Sequence, residues 1–323
     1  MTRNASPAKL ALIGSNGMLA QAVRRIAPAE YDVFGYDLPE FDLTNREQVL
    51  AAMTALEPEL IVNCAAFTNV DGCETEEEAA TRVNGDGPGY LAEAAKALGA
   101  ALLHVSTDYV FDGRKMEPYT EDDPVSPQSA YGRSKLAGER AILESGLEEY
   151  FILRTSWLYG PGGKNFVETI VRLAMEREEL RIVADQVGTP TYTEDLAEGV
   201  FNLLKTVTND FKGGDELQVT SKESGQKSSL VTRHPSPPYG IYHFSNAGSC
   251  SWYDFAEAIV EELKQSGEEI ACQRILPIRT EEYPLPAARP AFSVFSKNKY
   301  MQATGAAIPE WRESLKKYIS NRQ

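Results

Sequence analysis

The sequence predicts an α/β protein with a doubly wound parallel sheet. From Lys9 onward, short apolar runs alternate with longer helix-forming segments, which is typical of parallel strands joined by crossover helices. A glycine turn follows the first apolar run, and the polar residues Ser106, Thr107 and Asp108 follow a central one. Ligands bind at the carboxyl ends of the strands in open sheets of this type. The three observations together therefore predict a Rossmann-like sheet with its site at that edge.

Composition restricts the class of protein further. The chain has 323 residues, of which 42% are hydrophobic, so it is long enough for one large domain or two. Its four cysteines are far apart, which argues against a zinc site or a disulfide framework and favours a reducing cytoplasm. The net charge of −15 disfavours nucleic acid as a partner, and no apolar stretch approaches the roughly 18 residues of a membrane span. We expect a cytoplasmic protein that binds neither nucleic acid nor membrane.

The N-terminal segment has the order of elements that a dinucleotide fingerprint requires. A strand at 9–13 is followed by Gly14, Gly17 and Ala20, and by a helix that runs to Ile26. Gly14 permits the tight turn, Gly17 lets the backbone approach a pyrophosphate, and Ala20 allows helix and strand to pack closely. The spacing is G-x-x-G-x-x-A rather than G-x-G-x-x-G. The prediction therefore depends more on the strand–turn–helix context than on the glycines alone.

The second strand is predicted at Tyr31–Tyr36 and ends at Asp37, about 20 residues after the glycines. An acidic side chain there can accept a hydrogen bond from the 2′-hydroxyl of an adenosine ribose and repels a 2′-phosphate. No arginine follows closely, although Arg24 and Arg25 on the first helix could approach. Electrostatics at Asp37 therefore favours NAD slightly and leaves NADP open.

Three further segments extend the alternation of strands and helices. Asp42 and Leu43 precede a helix predicted at 44–56. They fit either of two roles equally well, a turn that faces adenine or the acidic start of that helix. Leu60–Asn63 is the third strand, and the small residues at 64–68 leave room for a cofactor backbone or for a packed helix. Another helix is predicted at 82–98.

The fourth strand and the following helix bring three candidate catalytic residues together. The apolar run 100–105 ends near Thr107, while Tyr131 and Lys135 lie four residues apart in the helix-forming segment 128–143. That spacing places both side chains on one helical face, although it also occurs by chance. An ammonium beside a phenol lowers the pKa of the phenol, so we expect Lys135 to prepare Tyr131 as a proton donor to a developing alkoxide. The Thr107 hydroxyl is expected to hydrogen-bond the same oxygen.

The second half of the chain contains two candidate ligand contacts. Trp157, at the end of a strand predicted at 150–157, can stack on a ligand or pack in the core. Arg289, in a proline-rich loop, can meet a diphosphate or remain an ordinary surface arginine. A loop at 159–163 is expected to fold over the site. The other predicted elements are strands at 181–183 and 241–244, a loop at 186–191, and helices at 165–176, 193–204, 252–264 and 311–319.

A polar insert at 206–238 separates a helix from a strand. It contains Gly213, Gly214 and a Pro-Ser-Pro-Pro run at 235–238. Strand-prone stretches at 216–221 and 228–232 flank a polar turn, so we expect a surface hairpin or a mobile loop.

In combination, the motifs resemble those of the extended short-chain dehydrogenases/reductases. The matching motifs are the glycine turn, Asn-x-Ala-Ala from Asn63, Ser-Thr-Asp-Tyr-Val-Phe-Asp-Gly from Ser106 and Tyr-Gly-x-x-Lys from Tyr131. Within that superfamily the chain resembles the dTDP-4-dehydrorhamnose reductases. The motifs concerned are Arg-Thr-Ser-Trp-Leu-Tyr from Arg154, Asn-Phe from Asn165, Asp-Gln-x-Gly-x-Pro-Thr from Asp185 and Ala-Arg-Pro from Ala288. Only the insert interrupts the resemblance.

The resemblance implies that NADPH or NADH delivers hydride to C4 of dTDP-4-dehydro-6-deoxy-L-mannose (dTDP-4-dehydrorhamnose), which gives dTDP-L-rhamnose. Tyr131 would be the proton donor, Lys135 would lower its pKa and hold the nicotinamide ribose, and Thr107 would bind the carbonyl oxygen. The implied cofactor contacts are Gly14, Asn16, Gly17, Met18, Leu19, Asp37, Asp42, Leu43, Ala65, Ala66, Phe67, Thr68, Tyr131 and Lys135. The expected contacts to the nucleotide-sugar substrate are Thr107, Asp108, Tyr109, Trp157 and Arg289.

The resemblance also leads to expectations about domains and assembly. The dinucleotide-binding domain would consist of residues 1–157, and the chain would return to it at 193–205 and 239–245. The rest of 158–323 would form a smaller substrate-binding α/β lobe that includes the insert. Some relatives pair as dimers through a divalent ion held by carboxylates, so a homodimer is one expectation. Here Ala22 and the Ser-Lys-Asn stretch from Ser296 stand where such carboxylates would be expected. We therefore predict no metal site.

Two alternatives remain open on the sequence alone. One is another nucleotide-sugar enzyme, either an epimerase, which needs retained NAD⁺, or a 4,6-dehydratase. A dehydratase has Thr-Asp-Glu after the central strand, and Tyr109 occupies the Glu position here, which removes one acid–base group. The other alternative is a non-catalytic NADP-binding regulatory subunit like the β subunit of methionine adenosyltransferase, which also keeps the Tyr-x-x-x-Lys pair. Trp157 and the 186–191 segment favour an enzyme.

Overall fold

The structure, a computed structural model, describes residues 6–212 and 239–322 of the chain. Its strands are β1 (Ala8–Ile13), β2 (Tyr31–Tyr36), β3 (Leu60–Asn63), β4 (Ala101–Thr107), β5 (Tyr150–Thr155), β6 (Leu158–Tyr159), β7 (Glu179–Val183), β8 (Val187–Gly188), β9 (Thr191–Tyr192), β10 (Gly240–His243), β11 (Cys250–Ser251) and β12 (Arg274–Ile278). Its α-helices are α1 (Met18–Ile26), α2 (Arg46–Leu56), α3 (Glu77–Thr81), α4 (Gly87–Leu98), α5 (Ala130–Glu144), α6 (Phe166–Glu176), α7 (Thr193–Lys212), α8 (Trp252–Gln265), α9 (Asn298–Thr304) and α10 (Trp311–Asn321). None of these described helices is both long enough and apolar enough to cross a bilayer.

Six strands form one parallel sheet in the order β10-β5-β4-β3-β1-β2. Neighbouring strands are parallel throughout; Leu10 of β1, for example, pairs with Val33 on one side and Leu60 on the other. The order reverses between β1 and β3, so the chain winds outward in both directions from that point. This topology confirms the predicted doubly wound sheet. It also leaves a crevice at the carboxyl ends of the strands, where the loops diverge.

Helices cover both faces of the sheet because its strands are apolar on both faces. In β1, Leu10 and Leu12 face a core shared with α1, α7 and α9, while Ala11 and Ile13 face a core shared with α2, α4 and α5. The alternation of side chains along the strand produces the two cores. A shift of register by one residue would turn each side chain of the strand toward the opposite core, so the packing specifies the register strongly.

Four of the helices begin with a side-chain cap. α2, α5 and α6 begin one or two residues after their predicted starts at 44, 128 and 165, and α8 begins at its predicted start. Asn45, Ser129, Asn165 and Ser251 each accept a hydrogen bond from a backbone N–H in the first turn. At Ser251, Asp254 completes a capping box. Such caps satisfy N–H groups that have no partner within the helix. The helix predicted at 82–98 is divided, because a π-helical turn at Arg82–Asp86 leads into α4.

A third core lies outside the sheet, where α6, α8 and α10 enclose a cluster of aromatic and aliphatic side chains. The prediction missed several elements, among them β12 and α9. β12 lies in the segment expected to be a proline-rich loop and pairs in parallel with β7, and α9 packs on the first core through Tyr300. α7 continues to Lys212, past its predicted end at 204. The hairpin predicted within the insert falls outside the described residues, and the domain boundary stays a prediction.

Candidate active site

The carboxyl ends of β1, β3, β4 and β5 open into one cavity of about 860 Å³. The cavity lies beside the point where the strand order reverses, as expected for an open α/β sheet. The predicted site residues that line it are Gly14, Asn16, Gly17, Met18, Leu19, Asp37, Asp42, Leu43, Ala65, Ala66, Thr68, Thr107, Asp108, Tyr109, Tyr131, Lys135 and Trp157. Phe67 and Arg289 are the predicted residues that do not line it.

A close backbone contact shapes the glycine turn after β1. Gly14 has a φ of +74°, and a Cβ at this position would lie 2.6 Å from the Cα of Ala65. The N–H of Gly17 donates to the carbonyl of Gly14 at 3.0 Å, and α1 begins at the next residue. No side chain caps α1, so the N–H groups of its first turn and the positive end of its dipole are available to a phosphate.

Two aspartates line the part of the cavity next to β2 and α2. The Asp37 carboxylate accepts hydrogen bonds from the backbone N–H groups of Asn16 and Leu38, both at 2.8 Å. It therefore connects the glycine turn to the end of β2. Asp42 accepts hydrogen bonds from the N–H and the hydroxyl of Thr44, at 2.9 and 2.8 Å, which closes the turn before α2. α2 begins at Arg46 after the Asn45 cap, so Asp42 forms a turn ahead of the helix rather than its acidic start, and its contact with a cofactor stays a prediction.

Thr107 and Tyr131 line the cavity together at the end of β4. Thr107 donates to Asp108 Oδ1 at 3.1 Å, and the Tyr131 ring meets the edge of Tyr109 at a centroid distance of 5.4 Å. Burial raises the pKa of Tyr131, so the expectation that Lys135 lowers it is wrong for this arrangement. The raised pKa keeps Tyr131 a neutral phenol. That is the protonated form a proton donor needs.

Lys135 is buried, and its amine hydrogen-bonds to groups of β4. Nζ donates to the carbonyl of Val105 at 2.7 Å and lies 3.2 Å from Nε2 of His104. Burial lowers the pKa of Lys135 to about 8, while Glu139 opposes the shift. Burial also keeps His104 neutral by lowering its pKa, and its Nδ1 lies 3.1 Å from the Asn63 amide nitrogen. Neither His104 nor Asn63 was predicted as a neighbour of the lysine.

A buried ion pair lies between the elements that contain the candidate catalytic residues. Arg154 on β5 donates two hydrogen bonds to Glu139 on α5, at 2.9 and 2.7 Å, and both side chains are almost fully buried. The Ser106 hydroxyl at the end of β4 donates to the same carboxylate at 2.6 Å. The pair therefore joins α5 to β4 and β5. A charged residue within an apolar strand, such as Arg154, is the sequence signal that could have indicated it.

Trp157 both stacks on another aromatic residue and lines the cavity. Its ring lies parallel to Trp252, with centroids 3.5 Å apart and an interplanar angle of 7°. Gly188 packs closely against it, since a Cβ there would lie 2.5 Å from an indole carbon. The backbone of Trp157 has a φ of +45°, a strained conformation for a residue other than glycine that is found at functional sites. These contacts hold the indole in one position.

Phe67 and Arg289 have structural contacts instead of lining the cavity. The backbone N–H and carbonyl of Phe67 are bound by the side-chain amide of Asn84, at 2.8 and 3.1 Å, and its ring packs in a small apolar cluster. Arg289 forms two hydrogen bonds with the carboxylate of Asp71, at 2.6 and 2.8 Å. The guanidinium of Arg289 is therefore committed to a protein carboxylate, and the predicted diphosphate contact has no support in this arrangement.

Two further strand-end residues line the cavity although they were not predicted. Thr155 ends β5 as Thr107 ends β4, and Ser156 follows it, so the same signal was present in the sequence. The Thr155 hydroxyl is buried and has no hydrogen-bond partner among the residues that the structure describes. An unpaired buried hydroxyl in a cavity wall fits a site that a polar ligand completes. The loop predicted to cover the site reaches the cavity at 162–164.

The described side chains include no group of three or more His, Cys, Asp or Glu residues that could hold a metal ion. Ala22, one of the positions where a carboxylate was expected, is buried in the core beside β1. The four cysteines are free thiols.

Comparison with known proteins gives the family. The model of the RmlD substrate binding domain matches residues 8–323. The chain belongs to the RmlD substrate binding domain family. It is 40% identical to the spore coat polysaccharide biosynthesis protein SpsK of Bacillus subtilis, over 97% of this chain and 98% of the relative. It is 39% identical to the dTDP-4-dehydrorhamnose reductase of Burkholderia thailandensis, over 95% of this chain and 96% of the relative.

Solved structures of this RmlD family agree with the fold. The dTDP-4-dehydrorhamnose reductase of Bacillus anthracis, solved in complex with NADP, has a TM-score of 0.82 and 36% identity, and the match covers 97% of this chain and 99% of that one. The matches along the whole chain confirm the resemblance inferred from the motifs.

Proposed function

We propose that this RmlD-family chain is an NAD(P)H-dependent oxidoreductase that reduces the C4 keto group of dTDP-4-dehydrorhamnose to give dTDP-L-rhamnose. The observation that carries the proposal is the convergence of Thr107, Tyr131 and Lys135 on the cavity that begins at the glycine turn. The relatives named dTDP-4-dehydrorhamnose reductase support the substrate, and the NADP complex of the Bacillus anthracis reductase supports the cofactor.

The residues around the glycine turn suit a dinucleotide. The N–H groups at the start of α1 would hold the pyrophosphate, Asp37 the adenosine ribose and Lys135 the nicotinamide ribose. Ala65 and Ala66 leave room for the backbone of the cofactor. Bound NADPH or NADH supplies the hydride.

The side chains of this protein supply the proton and hold the carbonyl group. Tyr131, as a neutral phenol, gives its proton to the C4 oxygen as negative charge develops there, and the Thr107 hydroxyl hydrogen-bonds the same oxygen. Lys135 lies on the same face of α5 as Tyr131, where its amine would hold the nicotinamide ribose beside the phenol. The indole of Trp157 supplies an apolar wall for the sugar, next to Asp108 and Tyr109.

The remaining expectations belong to the same proposal. Residues 1–157, with 193–205 and 239–245, would bind the dinucleotide, and 158–323 the nucleotide sugar. Four free thiols suit a reducing cytoplasm. A homodimer stays a prediction.

NAD(P)H oxidation in the presence of dTDP-4-dehydrorhamnose tests the proposal. We expect oxidation in proportion to the sugar consumed, a product identified by NMR as dTDP-L-rhamnose, and little turnover by Tyr131→Phe. Cofactor binding without oxidation would favour a regulatory subunit, and sugar conversion without net oxidation would favour an epimerase. Dehydratase chemistry is disfavoured because burial raises the pKa of Tyr109, so this phenol cannot replace a carboxylate.

A further inference from the structure

Arg24 on α1 has an unusual position at the edge of the sheet. Its guanidinium lies directly over Gly35 of β2, since a Cβ on this glycine would be 1.9 Å from Nη2 of Arg24. The same Cβ would be 3.0 Å from the Ser15 hydroxyl, so the guanidinium and this hydroxyl lie on the same side of Gly35. The absence of a side chain at position 35 is what makes room for the arginine.

The neighbouring arginine differs from Arg24 in its contacts. Arg25 makes an ion pair with Glu194 at 2.8 Å, and Glu194 also pairs with Lys317 at 3.4 Å. Arg24 has no ion-pair partner in the described part of the chain, and its side chain is exposed. The positive charge of Arg24 is therefore free to meet a ligand, whereas that of Arg25 is already matched.

Arg24 lies close to the place assigned to the adenosine ribose. Side chains alternate along a strand, so Gly35 and Asp37 are on the same face and about 7 Å apart. The N–H of Ser15 donates to the carbonyl of Tyr36 at 3.2 Å, and the Asp37 carboxylate accepts from the glycine turn one residue later. Tyr36 and Asp37 line the cavity. A group attached to the ribose 2′-oxygen would thus have Asp37 on one side and Arg24 with Ser15 on the other.

We propose that Arg24, together with the Ser15 hydroxyl, forms a binding site for a phosphate monoester, namely the 2′-phosphate of NADPH. A guanidinium can donate two parallel hydrogen bonds to phosphate, and the serine hydroxyl adds another donor. Asp37 opposes this site by repelling the phosphate while binding the 2′-hydroxyl of NADH. Arg24 is therefore the residue that lets the chain accept NADPH despite Asp37. The inference rests on the proposed function, since it assumes that the cavity holds a nicotinamide dinucleotide.

Direct binding without sugar substrate tests the inference. Isothermal titration calorimetry compares NADPH with NADH, and adenosine 2′,5′-bisphosphate with adenosine 5′-monophosphate. Arg24→Ala should weaken binding of the two 2′-phosphorylated ligands roughly 10- to 100-fold, the range expected for a charge-assisted contact. The other two ligands should change less than about twofold, because they have no group for the arginine to bind. Arg24→Lys should restore part of the loss, since it keeps the charge but not the paired donors.

Arg25→Ala is the matched control, because it removes an arginine from the adjacent position of the same helix while Glu194 retains Lys317. It should leave the ratio of NADPH to NADH affinity unchanged. Equal losses for both dinucleotides in Arg24→Ala, or an unchanged ratio, would overturn the inference and leave the proposed function intact. A wild-type chain that binds neither dinucleotide would overturn the proposed function itself.

Discussion

Replacing Glu139 by glutamine tests how the candidate catalytic elements are held together. Glu139 accepts two hydrogen bonds from Arg154 and one from Ser106, and the two charged side chains are 1% and 2% exposed. The substitution leaves the guanidinium buried without the negative charge that it faces. Removing one partner of a buried ion pair costs about 3–5 kcal/mol, so we expect the free energy of unfolding to fall by about that amount.

The surroundings offer Arg154 no equivalent partner in hydrogen-bond contact within the described residues. His243 lies 3.4 Å from the guanidinium, but burial and the arginine itself lower its pKa to about 3, so it is neutral. Arg154 also lies over the ring of Phe111 at 5.1 Å, a contact that persists in the variant. The loss should therefore stay near the value for an uncompensated buried charge.

Equilibrium unfolding in urea measures the effect. Glu176→Gln is the control, because Glu176 makes an ion pair with Arg172 at 3.0 Å in which both side chains are more than half exposed. Such exposed pairs contribute about 0–1 kcal/mol. A double variant, Glu139→Leu with Arg154→Met, should recover most of the stability, because both charges are removed together. If Glu139→Gln lost no more than Glu176→Gln, the reasoning from burial would be refuted.

Three further predictions concern the cofactor and the chemistry. Tyr131→Phe should lower kcat by roughly 10²–10⁴ with cofactor binding nearly intact, and near-normal turnover in the steady-state assay would rule out the proposed proton donor. Gly14→Ala should abolish cofactor binding in a fluorescence titration, because its Cβ would lie 2.6 Å from the Cα of Ala65. Gly99→Ala, with a similar φ of +67° but nothing within 4 Å, should cost only about 1–2 kcal/mol of strain and leave binding unchanged. Asp37→Ala should shift the kcat/KM ratio toward NADPH, and the shift should shrink as salt screens the repulsion; an unchanged ratio would place Asp37 away from the ribose.

The sequence by itself determined the features that depend on neighbours along the chain. The alternation of apolar strands and helices predicted the doubly wound sheet, and Gly14 after β1 predicted the turn. The four-residue spacing of Tyr131 and Lys135 placed both on one face of α5, because helical periodicity is a local property. Helix starts were close for the same reason, since a cap such as Ser129 acts within one turn.

Only the tertiary structure decided the features that depend on distant partners and on burial. Arg289 meets Asp71, which is 218 residues away in the chain, and β12 becomes a strand because β7 pairs with it. The pKa of Tyr131 follows burial rather than its helical neighbour, and the amine of Lys135 hydrogen-bonds to β4. Desolvation depends on every element that packs around a group, and spacing along one helix carries no information about the others.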